Sequence, residues 1–341
     1  MDSRTGELSY VETVPGIVNP SFLVADADGR NLYAVSEVEN PDDQEDSCIT
    51  AFAINPASGG LKFLNKRPTH GFLSCHLAID RSGKFVIVAN YETGNLAFYP
   101  LTKDGGAGEA LTVIQHHGRS QYPSLETGPH AHAVKIDRNN RFLYVPDLGM
   151  DKVMIYRLDT DSGTLEANDP PFAAVAAGAG PRHFDFSPDN HFAYVINETN
   201  STVTAFAWDE HSGSLDEIQT ISTLPSDFSG TNYCADIHVS ASGKFLYGSN
   251  RGHDSIAIFE VDRGNGKISL IGHESTQGKT PRNFTIDPTG KFLLAANQDS
   301  DNIVSFRIDP ESGFLKPTGQ IVAVPNPVCL EIVPRLLSVD S

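Results

Sequence analysis

A chain of 341 residues with a net charge of −18 and no apolar run near the roughly 18 residues that span a bilayer leaves nucleic acid and membrane unfavoured as partners. Its four cysteines, Cys48, Cys75, Cys234 and Cys329, are scattered with no C-x-x-C pair, and no basic-then-apolar leader opens the chain. Buried thiols in the cytoplasm are the expectation, and with no Ser- or Pro-rich linker residues 1–341 read as a single domain.

In chain order, Thr5-Gly6-Glu7-Leu8 and the strand-like Ser9-Tyr10-Val11-Glu12-Thr13-Val14 look like the tail of a unit whose body is absent. Six full units follow from about Asn19 to about Val322. Each has a strand, a Gly or Asn pivot, an apolar strand, a strand with an aromatic, and a short Ser-Gly-x-Leu element. The pivots are Gly29, Gly83, Asn140, Asn190, Gly243 and Gly290, so the steps are 54, 57, 50, 53 and 47 residues. Gly and Asn are the residues that most readily take the left-handed conformation of a tight hairpin. The third strands repeat an aliphatic residue three before an aromatic: Ile49 and Phe52, Leu96 and Tyr99, Val153 and Tyr156, Val203 and Phe206, Ile256 and Phe259, Ile303 and Phe306. These read as core positions rather than a cofactor box.

A period near fifty with four strands per unit predicts an all-β fold, a seven-bladed β-propeller with four-stranded blades. The seventh blade would be shared by both termini, with Pro327-Val328-Cys329-Leu330-Glu331-Ile332-Val333 as its first strand and the N-terminal tail as its last. Its second and third strands have no counterpart, and a start placed about 20 to 25 residues too late would account for them.

The hairpin geometry predicts that the starts of first strands and the ends of second strands lie side by side, collecting polar residues from separate units into one funnel. The starts contribute His76, His130, His132, Arg182, His183, Asp236, His238, Arg282 and Asn283; the ends contribute Glu37, Asn90, Tyr91, Asp147, Asn197, Glu198, Asn250, Arg251 and Asn297. Each also has a structural reading. Arg182 and Arg282 could pair with Glu198 or Asp236 across neighbouring blades, and His76 and His183 could be satisfied core histidines. His116 and His117 fall in a Gly-rich insertion, Gly105 to Gly128, and read as loop, with a lid as the functional alternative. At i and i+2, His130 and His132 share one side of a regular strand, so either could act.

No zinc spacing, P-loop or G-x-S-x-G elbow is present. A Ca²⁺ cage would need Glu37, Asn90, Asn197 or Asp147 to converge, and neighbouring arginines oppose it. The expectation is therefore no metal and no cofactor.

Pro129-His130-Ala131-His132, Gly180-Pro181-Arg182-His183, Asn197-Glu198, Ser249-Asn250-Arg251-Gly252-His253-Asp254-Ser255, Thr280-Pro281-Arg282 and Ala296-Asn297-Gln298-Asp299-Ser300-Asp301-Asn302 resemble, in order, the motifs of the lactonase family of seven-bladed propellers. That family includes cycloisomerase-type 6-phosphogluconolactonases and carboxy-cis,cis-muconate lactonizing enzyme. The resemblance implies a catalytic set of His132, Arg182, Glu198 and Arg251, and His130, His183, Arg282, Asp236 and Asn297 are the candidates for substrate contact. It implies hydrolysis of a small anionic lactone, foremost 6-phospho-D-glucono-1,5-lactone in the pentose phosphate route. The alternatives are a muconate-type lactonizing cycloisomerase and a non-catalytic propeller that binds a protein partner.

Overall fold

Every pivot adopts the conformation its residue type favours: Gly29, Gly83, Asn140, Asn190, Gly243 and Gly290 have φ between 58° and 70°. In three of the turns an aspartate closes the loop from the preceding strand. One oxygen of Asp80 accepts from the backbone N–H of Lys84 and Phe85 at 2.7 Å each, and Asp137 and Asp287 do the same for Arg141 and Phe142 and for Lys291 and Phe292. The buried backbone donors that open the second strand are thereby satisfied before the ladder begins.

The computed structural model describes residues 1–39, 47–121 and 128–333. Among them the strands form six four-stranded sheets, here sheets 1 to 6, spanning residues 20–68, 74–115, 135–174, 181–222, 233–275 and 281–323. Each sheet is antiparallel, and its strands pair in sequence order. The aliphatic and aromatic partners on the third strands are buried throughout, from Ile49 at 0% and Phe52 at 3% exposure to Ile303 at 7% and Phe306 at 0%.

The chain groups into two compact units. One comprises Met1–Ser9, Asp151–Val153 and Phe172–Ile332, and holds sheets 4 to 6. Its apolar clusters join neighbouring sheets: Tyr194, Val203 and Ala205 pack with Ile237, Leu246 and Phe259, and Tyr247, Ile256 and Ile258 pack with Phe284, Leu293 and Phe306. The other consists chiefly of Tyr10–Met150 and Met154–Pro171 and holds sheets 1 and 2 and most of sheet 3. There Tyr33, Val35 and Ile49 pack with Val86, Val88 and Tyr99, and Phe85, Ile87 and Phe98 pack with Leu143, Val145 and Tyr156. A sheet with two apolar faces needs neighbours to cover them, and within each unit these side chains cover the faces between adjacent sheets.

The expected seventh blade is not formed. Six sheets account for all assigned strands, and neither residues 1–18 nor Pro327–Val333 belong to one among the described residues. Without second and third strands beside them, the two terminal segments have no ladder to join. The N-terminal turn nevertheless packs as a unit's tail does. At Gly6, φ 78°, an added Cβ would stand 2.7 Å from the Phe292 ring, just as Gly266 closes on Phe192 and Gly313 on Phe245. Leu8 N–H donates to the Gln320 side chain at 3.0 Å.

Candidate functional site

The side-by-side arrangement of strand ends holds in the register, where Ser74 faces Asn90, Pro181 faces Asn197, Cys234 faces Asn250 and Pro281 faces Asn297. A regular strand would turn successive residues to opposite faces, but each of these first strands carries an extra residue at this point. The register slips between Ser74 and His76, Pro181 and His183, Pro281 and Asn283, and Cys234 and Ile237. Cys75, Arg182 and Arg282 are the unpaired residues of three such bulges. Bulges re-aim side chains, and this one recurs at equivalent strand starts.

The same irregularity distinguishes the two histidines of sheet 3. Lys135 pairs with Tyr144 and Ala131 with Asp147, so three residues on one side face two on the other. The His132 N–H donates to Pro146 O at 2.9 Å. In repeat position His132 corresponds to Arg182, Arg282 and Cys75.

In the unit of sheets 4 to 6, Arg182 is buried at 2% exposure. Its Nε donates to Glu198 Oε2 at 2.9 Å, and Arg251 Nη2 reaches the same oxygen at 2.8 Å. Glu198 is set by its backbone, donating to Gly180 O at 2.7 Å and accepting from Cys234 N at 3.2 Å. Arg182 Nη1 donates to Ala235 O at 2.6 Å and lies 3.1 Å from His183 Nε2. Arg251 Nε and Nη2 also donate to the carbonyls of Tyr233 and Cys234. Burial pushes the Arg182 guanidinium down to about 10; Arg251 and then Arg282 add repulsion, while Glu198 and Asp236 oppose them. Half-buried Arg282 is thus within electrostatic range of the pair.

Asp236 is a hub between three sheets rather than an open acceptor. Its oxygens take the His183 ring at 2.8 Å, the His238 ring at 3.1 Å, Asn283 Nδ2 at 2.6 Å, and the backbone N–H of Ile237 and Phe284. Burial alone would raise its carboxyl, but the charge of His238 and the hydrogen bonds of His183 and His238 hold it well below the usual range. Asn297 is not drawn into this cluster. Its Nδ2 donates to Thr276 O at 3.0 Å, the latch that Asn90 makes to Thr69 and Asn250 to Thr223.

In the unit of sheets 1 to 3, His130 stacks on Tyr91 with centroids 4.5 Å apart, and His132 meets the same ring edge-on at 5.3 Å. His130 Nδ1 donates to Tyr91 O at 2.9 Å, and Cys75 Sγ lies 3.9 Å from His132 Nδ1. Beneath this segment is a pair that the loop reading of His116 missed. His116 Nδ1 and Asp147 Oδ2 are 2.6 Å apart with both side chains fully buried, and Asp147 Oδ1 accepts the His130 N–H at 2.8 Å. Residues 122–127 of the insertion lie outside the described residues. Tyr91 is among the strand-end residues the sequence singles out, one past the strand-end Asn, where Glu198 and Arg251 stand. His116 had none, because its partner is fixed only by the fold.

Among the described residues no group of three His, Cys, Asp or Glu side chains could hold a metal ion. No helix among them is long and apolar enough to cross a membrane.

Residues 1–332 match the family model "Lactonase, 7-bladed beta-propeller". The chain belongs to this lactonase family of β-propellers and is an enzyme of that class. It is 34% identical over 333 residues to a 6-phosphogluconolactonase of Bacillus subtilis, covering 98% of this chain and 93% of the relative. It is 36% identical over 291 residues to a 6-phosphogluconolactonase of Formosa agariphila, covering 84% and 81%. The solved structure of the periplasmic gluconolactonase of Pseudomonas aeruginosa superposes with a TM-score of 0.90 at 33% identity, covering 98% of this chain and 94% of that one.

Proposed function

We propose that the chain hydrolyses a phosphorylated sugar lactone, 6-phospho-D-glucono-1,5-lactone, to 6-phosphogluconate without a metal. The observation that carries this reading is the single Glu198 oxygen shared by Arg182 and Arg251. A carboxylate between two guanidinium groups offsets their repulsion and fixes their spacing. Arg182 then has Nε and Nη1 committed and Arg251 has Nε and Nη2 committed. Arg182 Nη2 and Arg251 Nη1 make no hydrogen bond among the described residues, so each arginine offers one nitrogen to an anion.

Ring opening of a lactone requires water to attack the C1 carbonyl, a base to take the water proton, and donors for the oxyanion of the tetrahedral intermediate. Collapse of that intermediate breaks the C1–O5 bond, and O5 leaves as a hydroxyl after protonation. His132 is assigned as the base, since an imidazole nitrogen can take a proton from water and return it to the leaving oxygen. The arginines are assigned to the oxyanion and the phosphate, where preorganised charge is worth most. Glu198 is the strut that holds them. The cytoplasm is the proposed compartment, which suits four cysteines that form no disulfide among the described residues; cell fractionation tests it.

The test is acid release from freshly prepared 6-phosphogluconolactone, read against a buffer blank because the lactone also opens spontaneously. Wild-type turnover well above the blank, lost in Arg182→Ala and His132→Ala, supports the reading. Turnover confined to a carboxylated muconate would favour the cycloisomerase, and no turnover of either with retention of a protein partner would favour a binding propeller.

A further inference from the structure

The two neighbours of the His183 ring fix which of its nitrogens carries the proton. A buried carboxylate only accepts, so the 2.8 Å contact between His183 Nδ1 and Asp236 Oδ1 requires a proton on Nδ1. Arginine only donates, so the 3.1 Å contact between Arg182 Nη1 and His183 Nε2 requires a lone pair on Nε2. Both neighbours demand the same neutral tautomer. An imidazolium would set N–H against N–H beside a second positive charge.

Asp236 is fixed in this role because four other donors already hold it: Ile237 N and Phe284 N from the backbone, Asn283 Nδ2 and the His238 ring. Arg182 is fixed in turn. Nε–H goes to Glu198, and the two hydrogens of Nη1 go to Ala235 O and to His183 Nε2. Three of its five N–H groups are thus aimed within the protein, which sets the plane of the guanidinium and leaves the two on Nη2.

We propose that His183 is a positioning residue, locked by Asp236 as the Nδ1–H tautomer, whose bare Nε2 orients Arg182 so that Nη2 is presented to a bound oxyanion. It rests on the reading of Arg182 as an anion clamp and changes the role of His183 from substrate contact to alignment. The histidine's surroundings are consistent with this, since burial, then the Arg182 charge, push it down to about 4 against the pull of Asp236. A lysine at position 182 could not reproduce the arrangement, because a point charge has no plane to set.

The test uses the whole chain and needs no turnover. In ¹⁵N-labelled protein the His183 ring should show a protonated Nδ1 and an unprotonated Nε2, unchanged between about pH 5 and pH 8. Titration calorimetry with inorganic phosphate should then show affinity falling roughly ten- to a hundredfold in His183→Phe, the loss expected for one hydrogen bond to a charged group. His183→Gln, whose amide oxygen can accept from Arg182, should recover part of it. A protonated Nε2, a wild type with no phosphate affinity, or a folded His183→Phe with full affinity overturns the proposal. If lactone turnover is absent while the tautomer and the phosphate dependence hold, the hydrolase reading fails and this one stands. Turnover with the wrong tautomer has the opposite meaning.

Discussion

The arginine cluster of sheets 4 to 6 and the histidine segment of sheets 1 to 3 are held by different means. Arg182, Glu198, Arg251, His183 and Asp236 hold one another through side-chain contacts, so each member sets the charge geometry of the next. His130 and His132 are instead placed through the backbone: Asp147 grips the His130 N–H, Pro146 O takes the His132 N–H, and buried His116 holds Asp147. The contrast separates two kinds of damage. A substitution in the first region changes the field directly, whereas one beneath the second displaces a segment while leaving its chemical groups intact.

The sharpest way to break this comparison is Arg182→Ala. Loss of a preorganised oxyanion donor should lower turnover by on the order of 10² to 10³, measured in protein whose circular dichroism is unchanged. Arg182→Lys should recover little, since a point charge cannot make the three directed contacts.

Glu198→Leu comes next, and its larger effect should be on stability. It leaves a deeply buried guanidinium without its carboxylate, which costs on the order of 3 to 5 kcal/mol in denaturant melts. Glu198→Gln should cost less, because the amide oxygen still accepts from both arginines.

The third prediction concerns acid. The folded His183 sits near 4, below its ordinary 6.5, so the unfolded chain binds the proton first as the pH falls. Stability from this group is therefore full above about 6.5 and declines toward about 4, by up to about 3 kcal/mol. Urea melts across that window should show the slope, and His183→Phe should flatten it. Below the window Asp236, held well below the usual carboxylate range, adds its own loss as it protonates.

The smallest expected effect sharpens the other half. His116→Phe keeps the ring volume but removes the donor to Asp147, costing about 1 to 3 kcal/mol for a buried acceptor left short. Amide exchange at His130 and His132 should speed up more than in the sheets, and kcat should fall with KM little changed. His116→Asn, which can still donate, should restore part of both.

The hairpins were readable because each pivot demands a left-handed residue and each third strand demands an aliphatic and an aromatic on the buried face. These are local requirements, and Gly29 through Gly290 and Ile49 through Phe306 meet them. Likeness of Gly6 and Pro327–Val333 to parts of a unit predicts a seventh blade but says nothing about ladder partners, and among the described residues these segments join no sheet. Candidate residues were legible as a set, since repeat alignment brings Arg182, Arg282, Glu198 and Arg251 to equivalent strand ends. Their directions were not, because the bulge after Ser74, Pro181 and Pro281 breaks the alternation on which facing arguments depend. Asn297 looked like a site residue by position and is bound into a latch whose threonine partner lies 21 residues earlier. His116 and Asp147 are 31 residues apart and meet only when sheets 2 and 3 fold.

The central claim is that Arg182 and Arg251 each spend one guanidinium nitrogen on the substrate, Arg182 on the developing oxyanion and Arg251 on the phosphate. The most direct test is the ratio of kcat/KM for 6-phosphogluconolactone to that for the unphosphorylated lactone, in the wild type and in Arg251→Ala. The account predicts a strong preference for the phosphorylated lactone that drops by at least roughly tenfold in the variant, as expected for losing a charge-assisted contact. A preference that survives intact in folded Arg251→Ala would contradict it.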